Sequence, residues 1–137
     1  MTTRREARRV AIDILYQADI TRAEGPDVLR AWRAAERAVP PFAVELVSGV
    51  TESLPQIDLL LEEHAEGWTV ARMAALDRTI LRVAVFELLE GAVPASVAIS
   101  EAVEAASELS SDESKAFVNG ILGRIARERE EPAGLEG

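Results

Sequence analysis

The 137-residue chain is predicted to fold as one all-α domain of about seven helices, and three observations lead to this prediction. Hydrophobic residues make up 48% of the chain, which is enough to build the core of a single domain of this size. Apolar positions recur at intervals of three and four, which is the helical period. Proline and glycine divide the chain into helix-length segments, and none of these alternates as a strand would.

The first four helices are each marked by an apolar face. The first is predicted from Thr3 to about Ile20, and Thr3 and Glu6 have the spacing of a capping box at its start. The apolar positions that define the four faces are Ala7, Val10, Ala11, Ile14 and Ala18; Val28, Trp32, Ala35 and Val39; Phe42, Leu46, Val47, Val50 and Leu54; and Ile57, Leu60, Leu61 and His64.

The fifth predicted helix, Arg72 to Glu90, is apolar on most sides and is expected at the centre of the domain. Its stretch 80–86 could be a buried strand, but the length of the segment without glycine or proline favours a helix. A sixth helix is predicted over Ser96 to Leu109. A seventh follows, with Ser110 to Glu113 spaced as its capping box. Residues 1–129 then form the domain and 130–137 a flexible tail.

The net charge of −9 is unevenly distributed. Residues 1–9 hold four arginines and one glutamate, whereas residues 38–71 hold six acids and no lysine or arginine. Residues 115–130 are basic again, with four cations against two glutamates. This pattern suggests two surfaces, one for an anionic partner and one for a basic partner, although a solvated acidic face is the simpler account of any single acidic run.

The sequence contains no catalytic or nucleotide-binding motif that we recognise. The absence of cysteine excludes disulfides, thiolate metal sites and cysteine nucleophiles. His64 is interpreted as a packing residue, and Glu62, Glu63 and Glu66 as a solvated helix face rather than a metal site. The start of the chain leads into no signal peptide, and no apolar run is long enough for a membrane span. A cytoplasmic protein without enzymatic activity, metal or cofactor is expected.

Arginines crowd the start of the first predicted helix. At about 100° per residue, Arg4, Arg5, Arg8 and Arg9 share one face with Tyr16, opposite the apolar face. Cations in a first turn are opposed by the helix dipole, and a bound anion would relieve the conflict. Helix N–H groups, guanidinium groups and an aromatic ring together suit single-stranded RNA. A solvated arginine-rich terminus explains the same residues equally well, so both interpretations are open.

Several stretches of the chain carry a family resemblance. They are TRREAR at 3–8 with ILYQ at 14–17; DRTILRVAVFEL at 77–88, then Pro94 and VAISEAVE at 97–104; and KAFVNGIL at 115–122. In this order they resemble the NusB family of bacterial transcription antitermination factors, over essentially residues 3–126. The resemblance implies a fold of two three-helix subdomains that binds the boxA element of ribosomal RNA transcripts. It also implies pairing with NusE, a small-subunit ribosomal protein, in an RNA polymerase complex with other Nus factors.

The resemblance also implies particular site residues. Those expected to contact RNA are Arg4, Arg5, Arg8, Tyr16, Glu113, Lys115 and Phe117. Asp77 and Arg82 are expected at the NusE surface. The excess of acidic residues in the middle of the chain would complement a basic ribosomal protein there. Three of these assignments have an alternative: Phe117 shares an apolar stripe with the core, Glu113 caps its helix, and Arg82 pairs within the fold.

Two other functions fit the same sequence. The chain could be a detached accessory module of an enzyme that modifies ribosomal RNA, since certain ribosomal RNA cytosine methyltransferases carry a NusB-like domain. It could also be a helical protein-binding scaffold that never contacts RNA. The sequence leaves self-association open, so a homodimer is compatible with it.

Overall fold

The computed structural model describes residues 2–136, the last six by their backbone alone, and within this range it contains seven α-helices, one short 3₁₀ turn and no β-strand. The helices are α1 (Arg4–Thr21), α2 (Gly25–Ala34), α3 (Pro41–Glu52), α4 (Leu54–His64), α5 (Ala75–Glu90), α6 (Ala95–Leu109) and α7 (Asp112–Glu136), with the turn Val70–Arg72 between α4 and α5. The prediction of an all-α fold with about seven helices is confirmed. The tail predicted for 130–137 falls almost wholly outside the residues described with side chains, and it stays a prediction.

Six of the seven helices form two groups of three, and the packing of α1 on α5 joins the groups. Helices α1, α2 and α3 pack together, as do α5, α6 and α7, while α4 lies against α5 and α7. Helix α5 contacts α1, α3, α4, α6 and α7, so the central position predicted for it is confirmed.

Side-chain caps set the starts of α1 and α7. Thr3 is the N-cap of α1, and its hydroxyl oxygen accepts a hydrogen bond of 3.1 Å from the backbone N–H of Glu6, as predicted. The cap predicted for α7 is displaced by one residue. The backbone N–H of Ser114 donates to the hydroxyl of Ser111 at 3.1 Å, while the hydroxyl of Ser110 lies 2.8 Å from that of Ser114.

Helix α5 begins at Ala75 rather than at the predicted Arg72, because Val70–Arg72 forms a separate 3₁₀ turn. It ends at Glu90, and the following residue, Gly91, has a φ of 72° that favours glycine. Close packing of α3 on α5 depends on Gly49, since a Cβ at this position would lie 2.1 Å from the ζ carbon of Phe86. Any side chain at Gly49 would therefore displace the Phe86 ring from its place between α3 and α5.

No helix in the described part of the chain combines the length and apolar character needed to span a membrane.

Candidate RNA interface

The side chain of Arg8 points into the domain and not toward solvent. Only 6% of the residue is exposed. Its Nε and Nη2 donate to the two carboxylate oxygens of Glu87 on α5, at 2.7 and 2.9 Å, and its Nη1 donates to Glu101 on α6 at 3.2 Å. The hydrogen bond to Glu87 raises the pKa of Arg8 above its usual value, against the opposing effect of burial. The prediction that Arg8 lies on an exposed basic face is wrong, because two facing carboxylates allow the cation to be buried.

Arg5 and Arg9 lie on the side of α1 that faces α6, and both are paired there. Arg5 Nη2 donates to Glu101 at 2.7 Å, and Arg9 Nη1 donates to Glu108 at 2.7 Å. The hydrogen bond from Arg5 lowers the pKa of the Glu101 carboxyl below its ordinary value. The Arg5 side chain remains 58% exposed. An RNA phosphate can therefore reach Arg5, but it must compete with a protein carboxylate.

Arg4 turns away from its neighbours toward α3. Its guanidinium carbon lies 4.4 Å from the centre of the Phe42 ring, which is a cation–π distance. The residue is exposed and borders an open groove lined by residues of α3 and α5. The arginines of the predicted basic face thus point in three directions. Arg4 points toward α3, Arg8 into the domain and Arg5 toward α6.

Tyr16 is half-buried on the second half of α1. It follows Arg5 by eleven residues and Arg9 by seven, which places the three residues on the same side of the helix. This side of α1 therefore carries two arginines and an aromatic ring in a row, as the sequence predicted for Arg5 and Tyr16.

At the start of α7, Glu113 and Lys115 are exposed and Phe117 is half-buried. Phe117 differs from Ile121 and Ile125, the other residues of its apolar stripe, which are fully buried. Its ring packs edge-to-face against Trp68, with 6.0 Å between ring centroids and an interplanar angle of 70°. Phe117 is therefore a boundary residue that contacts both the core and a surface aromatic.

Sequence reasoning missed Trp68. The residue lies in the loop between α4 and the Val70–Arg72 turn and is 47% exposed. Loop residues follow no helical period. The sequence signal for an exposed functional side chain was therefore only that Trp68 is a large aromatic residue in a polar segment, next to Gly67.

The aromatic residues of α1 and α7 lie at the same end of the helix bundle. Helix α1 runs antiparallel to α5, because Arg8 pairs with Glu87 and Asp19 pairs with Arg78. The second half of α1, with Tyr16, therefore lies beside the start of α5. Helix α6 packs on α5 and runs parallel to α1, so it ends at this end, where α7 begins.

The structure places Arg82 in an ionic network within the fold. Its Nε and Nη2 donate to the two carboxylate oxygens of Asp58 on α4, both at 2.9 Å, and its Nη1 lies 3.5 Å from Asp19 on α1. Arg78 pairs with the same Asp19 at 2.8 Å. This network favours the alternative in which Arg82 pairs inside the fold, although the residue also borders an open groove beside Asp58 and Leu59.

Asp77 occupies the first turn of α5 and is half-buried. Its Oδ1 is buried without a hydrogen-bond partner among the described residues. Asp77 and Arg82 are five residues apart on one helix, which separates them by about 140° around its axis. The structure therefore does not bring the two predicted partner-binding residues together on one face.

His64 is buried at the end of α4 and is held by hydrogen bonds. Its Nδ1 lies 2.8 Å from the carbonyl oxygen of Leu60, and its Nε2 contacts the carboxylate of Glu128 on α7. These contacts agree with a packing role. Among the described residues, no three His, Cys, Asp or Glu side chains come together as a metal site.

Comparison with known proteins identifies relatives over almost the whole chain. The model of the NusB family matches residues 5–127. The transcription antitermination protein NusB of Saccharopolyspora erythraea is 50% identical over 131 residues, covering 92% of this chain and 88% of that protein. The protein of the same name from Leifsonia xyli subsp. xyli is 46% identical over 136 residues, covering 94% of each chain.

Solved structures share the fold. T. maritima NusB has a TM-score of 0.83 and 34% identity, covering 93% of this chain and 92% of that one. A chain in the crystal structure of the antitermination factors NusB and NusE in complex with dsRNA has a TM-score of 0.81 and 22% identity, covering 91% of this chain and 96% of that chain.

Proposed function

The chain belongs to the NusB family, and from this we propose that it is a transcription antitermination factor that binds the boxA element of ribosomal RNA transcripts together with NusE. The observation that carries the proposal is the 50% identity to a transcription antitermination protein over 88% of that protein's length. The likeness to a fold that also occurs in a complex with NusE and dsRNA supports both partners. In this role the protein is an adaptor that joins an RNA polymerase complex with other Nus factors, and it catalyses no reaction.

The proposed RNA surface runs along α1 and onto the start of α7. Arg5 supplies a guanidinium for phosphate contact, since more than half of its side chain is exposed. Tyr16 and Phe117 supply rings for base stacking, and Lys115 supplies an exposed cation in the first turns of α7. The family resemblance adds Arg4, whose exposed guanidinium lies on the α3 side.

Two residues of the predicted set have different roles in this proposal. Arg8 positions α1 against α5 and α6 through Glu87 and Glu101, and its guanidinium is already bound by these two carboxylates in a buried site. Glu113 is an exposed carboxylate in the first turn of α7, where it can accept a hydrogen bond from a base amino group.

NusE is proposed to bind the acidic side of the domain near α4 and α5. The open groove there is bordered by Asp58, Glu62 and Leu59, and Leu59 is 60% exposed. Arg78 and Arg82 neutralise Asp19 and Asp58 in this groove, and the remaining carboxylate of Glu62 beside the exposed Leu59 suits a basic protein partner. Arg82 lines this groove, and the family resemblance adds Asp77 in the first turn of α5.

RNA binding is tested by fluorescence anisotropy with a labelled boxA RNA and a scrambled RNA of the same composition, each with and without NusE. We expect tight binding of boxA RNA, weaker binding of the scrambled RNA and a gain in affinity when NusE is present. Binding to NusE without any binding to RNA would overturn the proposal in favour of the protein scaffold. Tight RNA binding that NusE does not change would favour the accessory module of an RNA-modifying enzyme.

The NusE surface is tested by charge reversal at Asp77. The Asp77→Lys variant is expected to bind NusE roughly tenfold more weakly or worse, since placing like charges together at an interface costs several kcal/mol. Titration calorimetry measures the affinity, and circular dichroism checks that the helices remain. Glu52→Lys, an exposed reversal at the end of α3, is the matched control. Equal affinities of both variants and the wild type would remove Asp77 from the interface.

A further inference from the structure

The two tryptophans of the chain have opposite environments. Trp32 is 7% exposed, and its Nε1 donates to the side-chain oxygen of Gln17 at 2.7 Å. Trp68 is 47% exposed. Buried tryptophan contributes a large apolar area to a core, so a tryptophan that the fold leaves half in solvent is a candidate for a contact with another molecule.

The surroundings of Trp68 combine aromatic and cationic groups. Phe117 packs against it edge-to-face, so the edge of one ring meets a face of the other rather than the two rings stacking face to face. The guanidinium carbon of Arg72 lies 5.8 Å from its ring centroid. Lys115 is exposed but lies about 200° around α7 from Phe117, so Arg72 is the cation at this pair of rings. Aromatic rings with an adjacent cation are the elements with which proteins hold unpaired bases and their phosphates.

We propose that Trp68 is a base-stacking residue that extends the RNA surface from the start of α7 to the loop before α5. The proposal rests on the RNA binding proposed above. The occupant of the site is an unpaired nucleobase, stacked on the indole ring and flanked by Phe117, with Arg72 near the adjoining phosphate. The guanidinium of Arg72 beside an exposed indole ring favours RNA over a basic protein partner, although the net charge of −9 on the chain as a whole opposes RNA.

Tryptophan fluorescence tests the contact directly. When boxA RNA is titrated into the complex with NusE, we expect the emission of Trp68 to be quenched. In the Trp68→Phe variant the remaining emission from this chain comes from buried Trp32, and the RNA-dependent quenching should be lost. Persistence of the full quenching in Trp68→Phe would overturn the proposal.

Binding affinity provides the second test. Trp68→Ala is expected to weaken boxA RNA binding about 5- to 140-fold, the equivalent of about 1–3 kcal/mol for a stacked base, without changing the salt dependence. Val97→Ala removes another exposed apolar side chain, on α6, and should leave the affinity unchanged. Circular dichroism shows whether each variant is folded. If Trp68→Ala is unfolded, the fluorescence of Trp68→Phe decides whether Trp68 contacts RNA.

The outcomes separate this inference from the function on which it rests. Unchanged RNA affinity in Trp68→Ala, with weakened affinity in Phe117→Ala, would overturn the stacking role of Trp68 and leave the antitermination function in place. A wild-type protein that binds no RNA with NusE present would overturn both.

Discussion

The start of α1 and the start of α7 both belong to the proposed RNA surface, but their side chains differ in whether they are already paired within the protein. At α1, the cations of Arg5, Arg8 and Arg9 are each paired with a glutamate of α5 or α6. At α7, Lys115 forms no ion pair within the described residues, and Phe117 presents part of its ring. RNA must therefore compete with a protein carboxylate at Arg5 and Arg9, whereas at α7 it can stack on a ring that is already partly exposed.

The same contrast exists within α1. Arg5 and Arg8 both reach Glu101, yet 58% of one side chain is exposed and only 8% of the other. An exposed pair exchanges readily with a phosphate, while a buried pair that loses one partner leaves an uncompensated charge. Arg8 is thus a folding residue and Arg5 a candidate binding residue.

The largest expected effect is on folding and follows from replacing Arg8. Arg8→Met leaves Glu87 buried without its partner and should lower the free energy of unfolding by about 3–5 kcal/mol, measured by urea denaturation. Combining it with Glu87→Leu removes both charges and should restore most of the loss. A loss below about 1 kcal/mol in the single variant would show that the pair does not hold α1 in place.

Replacing Phe117 should act mainly on RNA. Phe117→Ala is expected to reduce boxA affinity by about 1–3 kcal/mol while leaving the slope of log K against log salt unchanged. Because the ring is only half-buried, the loss of folding stability should be smaller than the roughly 3–5 kcal/mol of a fully buried phenylalanine. Full RNA affinity combined with a loss of that size would instead assign Phe117 to the core.

The cations should show the difference between the two regions in their salt dependence. Lys115→Ala is expected to reduce the slope by about 0.7, the value for one phosphate contact on a single strand. Arg5→Ala should reduce the slope less, because the cation that it removes already neutralises Glu101. Equal reductions in the two variants would show that the ion pair at Arg5 is open in the complex.

The smallest expected effect is an acid dependence at the start of α1. The hydrogen bond from Arg5 holds the pKa of Glu101 below its ordinary 4.5 in the folded protein, so this pair adds stability above that value. The contribution is lost as the pH falls below 4.5 and through the lowered pKa. Urea midpoints measured across this range should fall less steeply in Glu101→Gln than in the wild type, and parallel profiles would contradict this.

Most of the fold followed from the sequence, because the apolar residues of each helix recur with the helical period and the burial of Ile14, Ile80 and Ile121 depends on that period alone. The orientation of Arg8 did not follow. Its partners Glu87 and Glu101 are 79 and 93 residues away in the chain, and a helical wheel contains no information on them.

Two further errors have local causes. Ser110 and Ser111 both precede α7, and only the backbone geometry decides that Ser111 accepts the hydrogen bond from Ser114. Trp68 lies in a loop, where no periodicity marks which side chains meet. Its contact with Phe117 depends on how α4 and α7 pack.

The most direct test of the account is photocrosslinking of boxA RNA containing 4-thiouridine to the protein in the presence of NusE, with crosslinked peptides identified by mass spectrometry. We expect crosslinks from a single RNA to both the Tyr16 region of α1 and the Phe117 region of α7, and their loss with a scrambled RNA. Crosslinks confined to other faces, such as the groove between α3 and α5, would contradict an RNA surface formed jointly by α1 and α7.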